Sequence, residues 1–145
     1  MIDHSRIEDR ISEIRKRLRQ LKETAESVKP EDFYKEDQII DATERRIQLV
    51  IQACMDIASH IVAQMALEKP KKENKEVFTI LAKHSILTPS IADRLSLMAG
   101  MRNILVHDYL EVDTRKIFNV ISHDLKDIEE FVVEVQRFLD KQMTK

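Results

Sequence analysis

The sequence predicts an all-α fold with one domain over residues 1–145, and three observations support this prediction. A single glycine in 145 residues leaves almost no position that adopts a positive φ without strain, which excludes glycine-rich phosphate loops and families of tight hairpins. Proline is scarce, tryptophan is absent, and residues that favour helices dominate. Apolar residues also recur at spacings of three and four along most of the chain, which is the period of a half-buried helix.

The first predicted helix ends at Pro30, because the residue before a proline is disfavoured in helical conformation. Its apolar stripe consists of Ile7, Ile11, Ile14, Leu18, Leu21, Ala25 and Val28. A short polar connection is expected over residues 32–37.

The second predicted helix is long and ends near Pro70. Its stripe consists of Ile40, Thr43, Ile47, Val50, Cys54, Ile57 and Ile61. A second apolar set widens the buried face and consists of Ile51, Met55, Ala58, Val62 and Met65. Because this face is wider than a two-helix seam, the helix is expected to lie centrally in the bundle.

The remaining helices follow a charged linker at residues 70–74. A short helix is expected around Phe78, ending near His84, and Thr88 with Pro89 provides the start signal of a fourth helix that runs toward Leu105. After a break at residues 107–113, Asp113 or Thr114 is expected to cap the last helix. The stripe of that helix consists of Ile117, Val120, Ile121, Leu125, Ile128, Val132, Val135, Phe138 and Leu139. An antiparallel bundle of four main helices plus a short extra helix buries all these faces.

Composition also restricts the class of protein. The only cysteine, Cys54, excludes an internal disulfide and a cysteine-cluster zinc site; it falls on a core stripe and is interpreted as a buried apolar residue. The sequence shows neither a signal region nor an apolar run of membrane length, so a cytoplasmic protein without a membrane partner is expected. A net charge of −2 argues against a generic nucleic-acid coat protein but is compatible with a local basic face.

The segment with the most chemical potential runs from Arg102 to Tyr109. His107 can donate or accept a proton near neutral pH, and Arg102 offers a fixed cation for a phosphate. This pair suits phosphodiester cleavage without a metal or cofactor, in which a 2′-hydroxyl attacks and a cyclic phosphate forms. Positions 102 and 107 lie about 140° apart on a regular helix, so both face one site only if the helix ends or bends near Val106. Asn103 and His107 share a face.

A structural interpretation competes with this chemistry. From the spacing alone, the preferred interpretation is that Arg102 and His107 cap the C-terminus of their helix. The second helix also carries a polar row, Glu44, Gln48, Gln52, Asp56, His60 and Gln64. That row is interpreted as a solvated edge, as a weak metal pair at Asp56 and His60, or, in the preferred use, as a support in which Asp56 or Glu44 orients Arg102 or His107.

Two further segments stay open. A basic cluster at residues 15–19 offers contacts to RNA phosphates, although interspersed glutamates favour a solvated charged face. The mid-helix Gly100 costs about 1 kcal/mol relative to alanine. It fits either close approach of a second copy or a packing constraint within one chain, and the sequence does not choose between them.

The pattern Arg102-Asn103-x-x-x-His107-x-Tyr109 resembles the R-x4-H-x-Y motif of HEPN-superfamily toxins of the HepT type. Five stretches of the chain resemble segments of that family in the same order, namely residues 43–48, 51–60, 81–84, 98–101 and 109–113. The resemblance covers most of residues 1–140 and implies a single HEPN-like helical domain.

The resemblance implies a ribonuclease toxin that cleaves RNA as a homodimer. If the fourth helices of two copies meet across a two-fold axis, Arg102 and His107 of both subunits line one cleft. It also implies a cognate antitoxin, the minimal nucleotidyltransferase MntA, which transfers AMP from ATP to the motif tyrosine, here Tyr109. An anionic adduct there would block RNA and compete for Arg102. The alternative is a non-catalytic helical module that docks a nucleotidyltransferase.

Overall fold

A computed structural model describes residues 2–107 and 113–144, and of residues 102–107 it describes the backbone alone. Every secondary-structure element in these ranges is helical, which confirms the predicted all-α class. The helices are α1 (His4–Ser27), α2 (Pro30–Phe33), α3 (Asp37–Gln64), α4 (Glu76–Lys83), α5 (Pro89–His107), α6 (Thr114–Asn119) and α7 (Leu125–Met143), with a π-helical turn over Val120–Asp124.

The long helices α1, α3, α5 and α7 pack in a ring in which each touches two others. In contacting pairs, the residue numbers rise along one helix while they fall along its neighbour, so these neighbours run antiparallel. The pairs are Asp3 with His60 and Arg10 with Asp56, Glu8 with Gln136 and Lys22 with Glu129, and Thr88 with Glu134 and Arg94 with Asp127. The C-terminus of α5 therefore lies at the same end of the bundle as the N-termini of α3 and α7.

The predicted apolar stripes form the core. On α1 the stripe is buried from Ile7 to Leu21, and on α3 every stripe residue from Ile40 to Ile61 is buried. Helix α3 packs against α1, α4 and α5, which confirms its predicted central position. Its length and composition would also suit a membrane span, but 56% of that window is buried inside the bundle, as in the core helix of a helical domain.

The first connection differs from the prediction. Residues 30–33 form the short helix α2, which starts at Pro30, because the missing N–H of proline costs nothing at the first helical position. Phe33 is fully buried and its ring centroid lies 5.0 Å from that of Phe118 on α6. Helix α2 is therefore part of the core at the α6 end of the bundle.

The predicted end of the second helix near Pro70 is also wrong. Helix α3 ends at Gln64, and Ala66 adopts a positive φ of 55°, a left-handed conformation typical of helix ends. Met65, expected on the buried face, is 36% exposed because it lies past this end.

The last predicted helix is divided by the π-helical turn. Asp113 caps α6 by accepting a hydrogen bond from the N–H of Arg115, as predicted. Ile117, Ile121 and Leu125 follow at two successive spacings of four, and all three are buried. The extra residue of the turn lets both halves keep their apolar faces on the core.

Candidate active site

Helix α5 carries the sequence motif at its C-terminal end. The backbone is helical through His107, so positions 102 and 107 lie about 140° apart around one continuous axis. The side chains of Arg102, Asn103 and His107, and the whole of Tyr109, lie outside the described residues. Their predicted roles therefore stay predictions, and the surrounding structure defines where the motif is presented.

Two carboxylates of α7 hold α5 in place. Glu134 accepts hydrogen bonds from the N–H and the hydroxyl of Thr88, at 2.6 and 3.1 Å. Asp127 pairs with Arg94 at 3.3 Å. Both carboxylates are buried, and sequence reasoning missed both. A signal was present for Glu134, which interrupts the apolar run of residues 131–135.

The outer face of α5 leads to the motif. Leu97 is 75% exposed, and the next turn contains Gly100. A β-carbon at Gly100 would meet only the Lys75 ammonium nitrogen, at 4.0 Å, which is ordinary contact distance. A packing constraint among the described residues, one of two explanations for this glycine, therefore gains no support, since these residues leave room for a β-carbon there.

Glu44 lies in the second turn of α3, at the same end of the bundle as the motif. Burial, and then the charge of Asp41, raise the pKa of its carboxyl above the ordinary value. A raised pKa at the motif end of the bundle is compatible with a supporting role.

Asp56 lies twelve residues further along α3 than Glu44, about 18 Å along the helix axis. It accepts a 2.8 Å hydrogen bond from Gln52 and pairs with Arg10 at 3.7 Å. These partners lie on α1 and α3, so the contacts of Asp56 give no support to its predicted role beside Arg102 or His107.

His60 is engaged at the other end of the row. Its Nε2 accepts a hydrogen bond from the N–H of Asp3, and burial followed by the charge of Arg6 lowers its pKa, while Asp3 acts in the opposite direction. Neither His60 nor Asp56 belongs to a cluster of three or more metal-binding side chains among the side chains that the structure describes, those of residues 2–101 and 113–144. The weak metal interpretation of this pair gains no support.

Cys54 is completely buried on α3, as predicted, and burial raises the pKa of its thiol far above the ordinary value. A nucleophilic role is therefore unsupported. On α1, Arg17 pairs with Glu13 at 2.9 Å and donates to Gln20, whereas Arg15 and Lys16 are exposed. This arrangement is typical of the solvated charged face that the sequence favoured.

Comparison with known proteins relates this geometry to a family. Residues 14–135 match the family model described as Ribonuclease HepT-like. The mRNA nuclease HepT of Shewanella oneidensis is 37% identical over 102 residues, which are 70% of this chain and 73% of that protein. The tRNA nuclease HepT of Aphanizomenon flos-aquae is 36% identical over 135 residues, which are 92% of this chain and 89% of that protein.

The fold gives the same result. A solved structure of a tri-AMPylated HEPN toxin of Shewanella oneidensis, in complex with an MNT antitoxin, superposes with a TM-score of 0.84 at 29% identity. The superposition covers 93% of this chain and 99% of that one. The resemblance first seen in the motif is thus confirmed by sequence and by fold, and the chain belongs to the HepT-like ribonuclease family.

Proposed function

We propose that this protein is the toxin of a toxin–antitoxin pair and acts as a metal-independent endoribonuclease. The observation that carries the proposal is the R-x4-H-x-Y sequence at the C-terminal end of α5 in a chain of the HepT-like family. Relatives named as an mRNA nuclease and a tRNA nuclease support RNA as the substrate class. The cytoplasm is the proposed location, because RNA and ATP are both available there.

The proposed reaction is a transesterification. His107 removes the proton of a ribose 2′-hydroxyl, whose oxygen attacks the adjacent phosphorus, and the 5′-oxygen leaves with a proton from a general acid. Arg102 binds the non-bridging oxygens, where negative charge develops. One product ends in a 2′,3′-cyclic phosphate and the other begins with a 5′-hydroxyl, so atoms and charges balance within the RNA and the two acid–base groups.

A homodimer is part of the proposal, because one motif supplies one histidine and the reaction uses a base and an acid. Positions 102 and 107 point in directions about 140° apart on α5, which suits a cleft shared between two α5 helices better than a site within one chain. The open space at Gly100 and the exposed Leu97, on the same stretch of α5, support close approach of a second copy.

The proposed control is AMPylation of Tyr109 by an MntA-like nucleotidyltransferase. The tyrosine oxygen attacks the α-phosphorus of ATP, the adenylyl group is transferred and pyrophosphate leaves. The solved complex of a tri-AMPylated relative with its MNT antitoxin supports this partner and this modification. Asn103, one turn before His107, and Glu44 are proposed as supporting residues.

The decisive experiment measures cleavage of total cellular RNA by the purified protein and by its His107→Ala variant. We expect the variant to keep its helical circular dichroism spectrum and to lose cleavage by at least a hundredfold, the scale of general acid–base catalysis. His123→Ala is the matched control, because His123 is exposed on the π-helical turn. Cleavage by His107→Ala at the rate of the unmodified protein would refute the assignment.

A second measurement tests the control by the partner. Incubation with the cognate nucleotidyltransferase and ATP should add mass in steps of AMP and abolish cleavage, and Tyr109→Phe should prevent the addition. No cleavage, no growth arrest on expression alone and stable binding to the nucleotidyltransferase would instead establish the non-catalytic binding module.

A further inference from the structure

A strongly basic segment lies between α3 and α4. Residues 69–75, called here the basic linker, contain one acidic residue, Glu73, and four lysines: Lys69, Lys71, Lys72 and Lys75. The net charge of this segment stands out in a chain whose overall net charge is −2. A local excess of positive charge on a nearly neutral protein is typical of a surface that meets a polyanion.

The basic linker is folded back along α4 and held at two points. Just before it, Glu68 pairs with Lys83 at 2.9 Å and with His84 at 2.6 Å, both at the C-terminal end of α4. Glu76, in the first turn of α4, accepts hydrogen bonds from the backbone N–H groups of Lys71 and Lys72. The lysine side chains therefore project from a backbone of defined shape.

The end of the basic linker reaches α5 beside the motif. The Lys75 ammonium nitrogen lies 4.0 Å from the place that a β-carbon of Gly100 would occupy. Gly100 precedes Arg102 by two residues, about 3 Å along the axis, and precedes His107 by seven residues, about 10 Å. Because seven residues complete almost two turns, positions 100 and 107 share one face of α5. Lys75 thus stands over the face that continues to His107.

The side chain of Lys75 is available for a ligand. Its described partner is Glu73 at 3.2 Å, and the side chain of Glu73 is 61% exposed. Ion pairs of this kind contribute little to stability, so a phosphate can replace the carboxylate at small cost.

We propose that the basic linker binds the RNA backbone beside the cleavage position, with Lys75 on a phosphate close to the one at which His107 is proposed to act. This inference rests on the proposed ribonuclease function and adds a substrate-binding surface outside the motif. RNA is favoured over an acidic protein surface because Lys75 stands over the face of α5 that carries His107, the proposed general base. Contacts of this type are independent of base sequence.

The test compares two charge-matched double variants in the full-length chain. Lys72→Gln with Lys75→Gln removes two linker charges, and Arg137→Gln with Lys141→Gln removes two exposed charges in the C-terminal half of α7, away from the motif. Affinity for a single-stranded RNA is measured against salt concentration in a His107→Ala background, which prevents cleavage. We expect the linker variant to lower the slope of log K against log salt by about 1.4, or about 0.7 for each lost phosphate contact. The α7 variant should keep the original slope.

Steady-state kinetics in the catalytically intact chain complete the test. The linker variant should raise KM and keep kcat, because Lys75 binds a phosphate that does not react. Equal slopes and KM values for the two double variants would overturn the linker assignment while cleavage by the unmodified protein keeps the ribonuclease function intact. Unchanged RNA binding with weaker nucleotidyltransferase binding would overturn it in favour of a protein contact. Absence of both RNA binding and cleavage in the unmodified protein would refute the function itself.

Discussion

The carboxylate of Glu134 on α7 accepts two hydrogen bonds from Thr88, from its N–H at 2.6 Å and from its hydroxyl at 3.1 Å. The Thr88 hydroxyl in turn accepts from the N–H of Ile91 in the first turn of α5. Because Glu134 is only 5% exposed, this contact ties the start of α5 to α7 in the protein interior. The position of α5 along the bundle, and with it the position of the motif at its far end, depends on this contact.

Glu134→Ala should lower the free energy of unfolding by about 1–3 kcal/mol, because it leaves the Thr88 N–H without its buried acceptor. Glu134→Gln keeps an acceptor and should cost less. Urea denaturation followed by circular dichroism measures both. The exposed Asp140 provides the control, and its alanine variant should stay within about 0.5 kcal/mol of the unmodified protein. Equal midpoints for Glu134→Ala and Asp140→Ala would show that the contact contributes nothing.

Phe33→Ala should destabilise the protein by about 3–5 kcal/mol, because a fully buried ring is removed from its contacts with Tyr34 and Phe118. Phe33→Leu fills part of the space and should cost less. Thermal and urea denaturation give the values, and the exposed Lys35→Ala serves as the control on the same segment. A loss below 1 kcal/mol for Phe33→Ala would mean that α2 does not belong to the cooperative core.

Gly100→Ala should raise the stability of the separate subunit by up to about 1 kcal/mol, because the helix gains a better former and a β-carbon there meets no close neighbour in the described chain. Gly100→Leu should weaken self-association, since a bulky side chain separates two facing α5 helices. Sedimentation equilibrium measures the association and urea denaturation the stability. Unaltered association of Gly100→Leu would place the dimer contact elsewhere.

The thiol of Cys54 should resist alkylation by iodoacetamide at pH 8 in the native protein and react fully in denaturant. Complete burial blocks access and raises the pKa of the thiol, so very little thiolate is present. Mass spectrometry after timed quenching reports the modified fraction. Rapid modification of the native chain would show that α3 opens locally or that the thiol is exposed.

Acid should release the anchor of the basic linker. Hydrogen bonds from Lys83 and then His84 lower the pKa of Glu68 from its ordinary 4.5 to about 2. A depressed carboxyl pKa contributes stability that is complete above about pH 4.5 and is lost as the pH falls toward 2. The protection factors of the linker amides, which are observed exchange rates referred to the intrinsic rate at each pH, should therefore fall across this window. Glu68→Gln should show low protection already at pH 6, whereas Glu31→Gln, at an exposed site, should not. Protection factors independent of pH would show that Glu68 does not hold the linker.

The apolar periodicity was sufficient to predict the long helices, because the same residues that repeat every three or four positions are the ones that the bundle buries. Helix α2 was not predicted, because four residues are too few to show an apolar periodicity. The burial of Phe33 also depends on Phe118, which is far away in sequence. The pairing of Glu134 with Thr88 escaped for the same reason. Apolar periodicity predicts which residues share one face of a helix, but it does not predict which other helix packs against that face.

The motif was found by resemblance, since its spacing alone favoured helix capping. The position of Lys75 over Gly100 required the fold, because the linker must turn back along α4 before the two residues meet. Asp56 illustrates the reverse case. Its place in a polar row suggested a supporting role, while the antiparallel packing of α1 gave it Arg10 as a partner.

The π-helical turn at Val120–Asp124 acts as a rotational offset between α6 and α7. Deleting one residue there would restore an uninterrupted α-helix but turn everything before it by about 100°. Ile117 would then leave the core and Phe118 would move away from Phe33, while the packing of α7 would stay the same. In a family member that lacks this residue, different positions of α6 would face the core. Insertions and deletions at this turn should therefore coincide with changes in the side chains that cover α2.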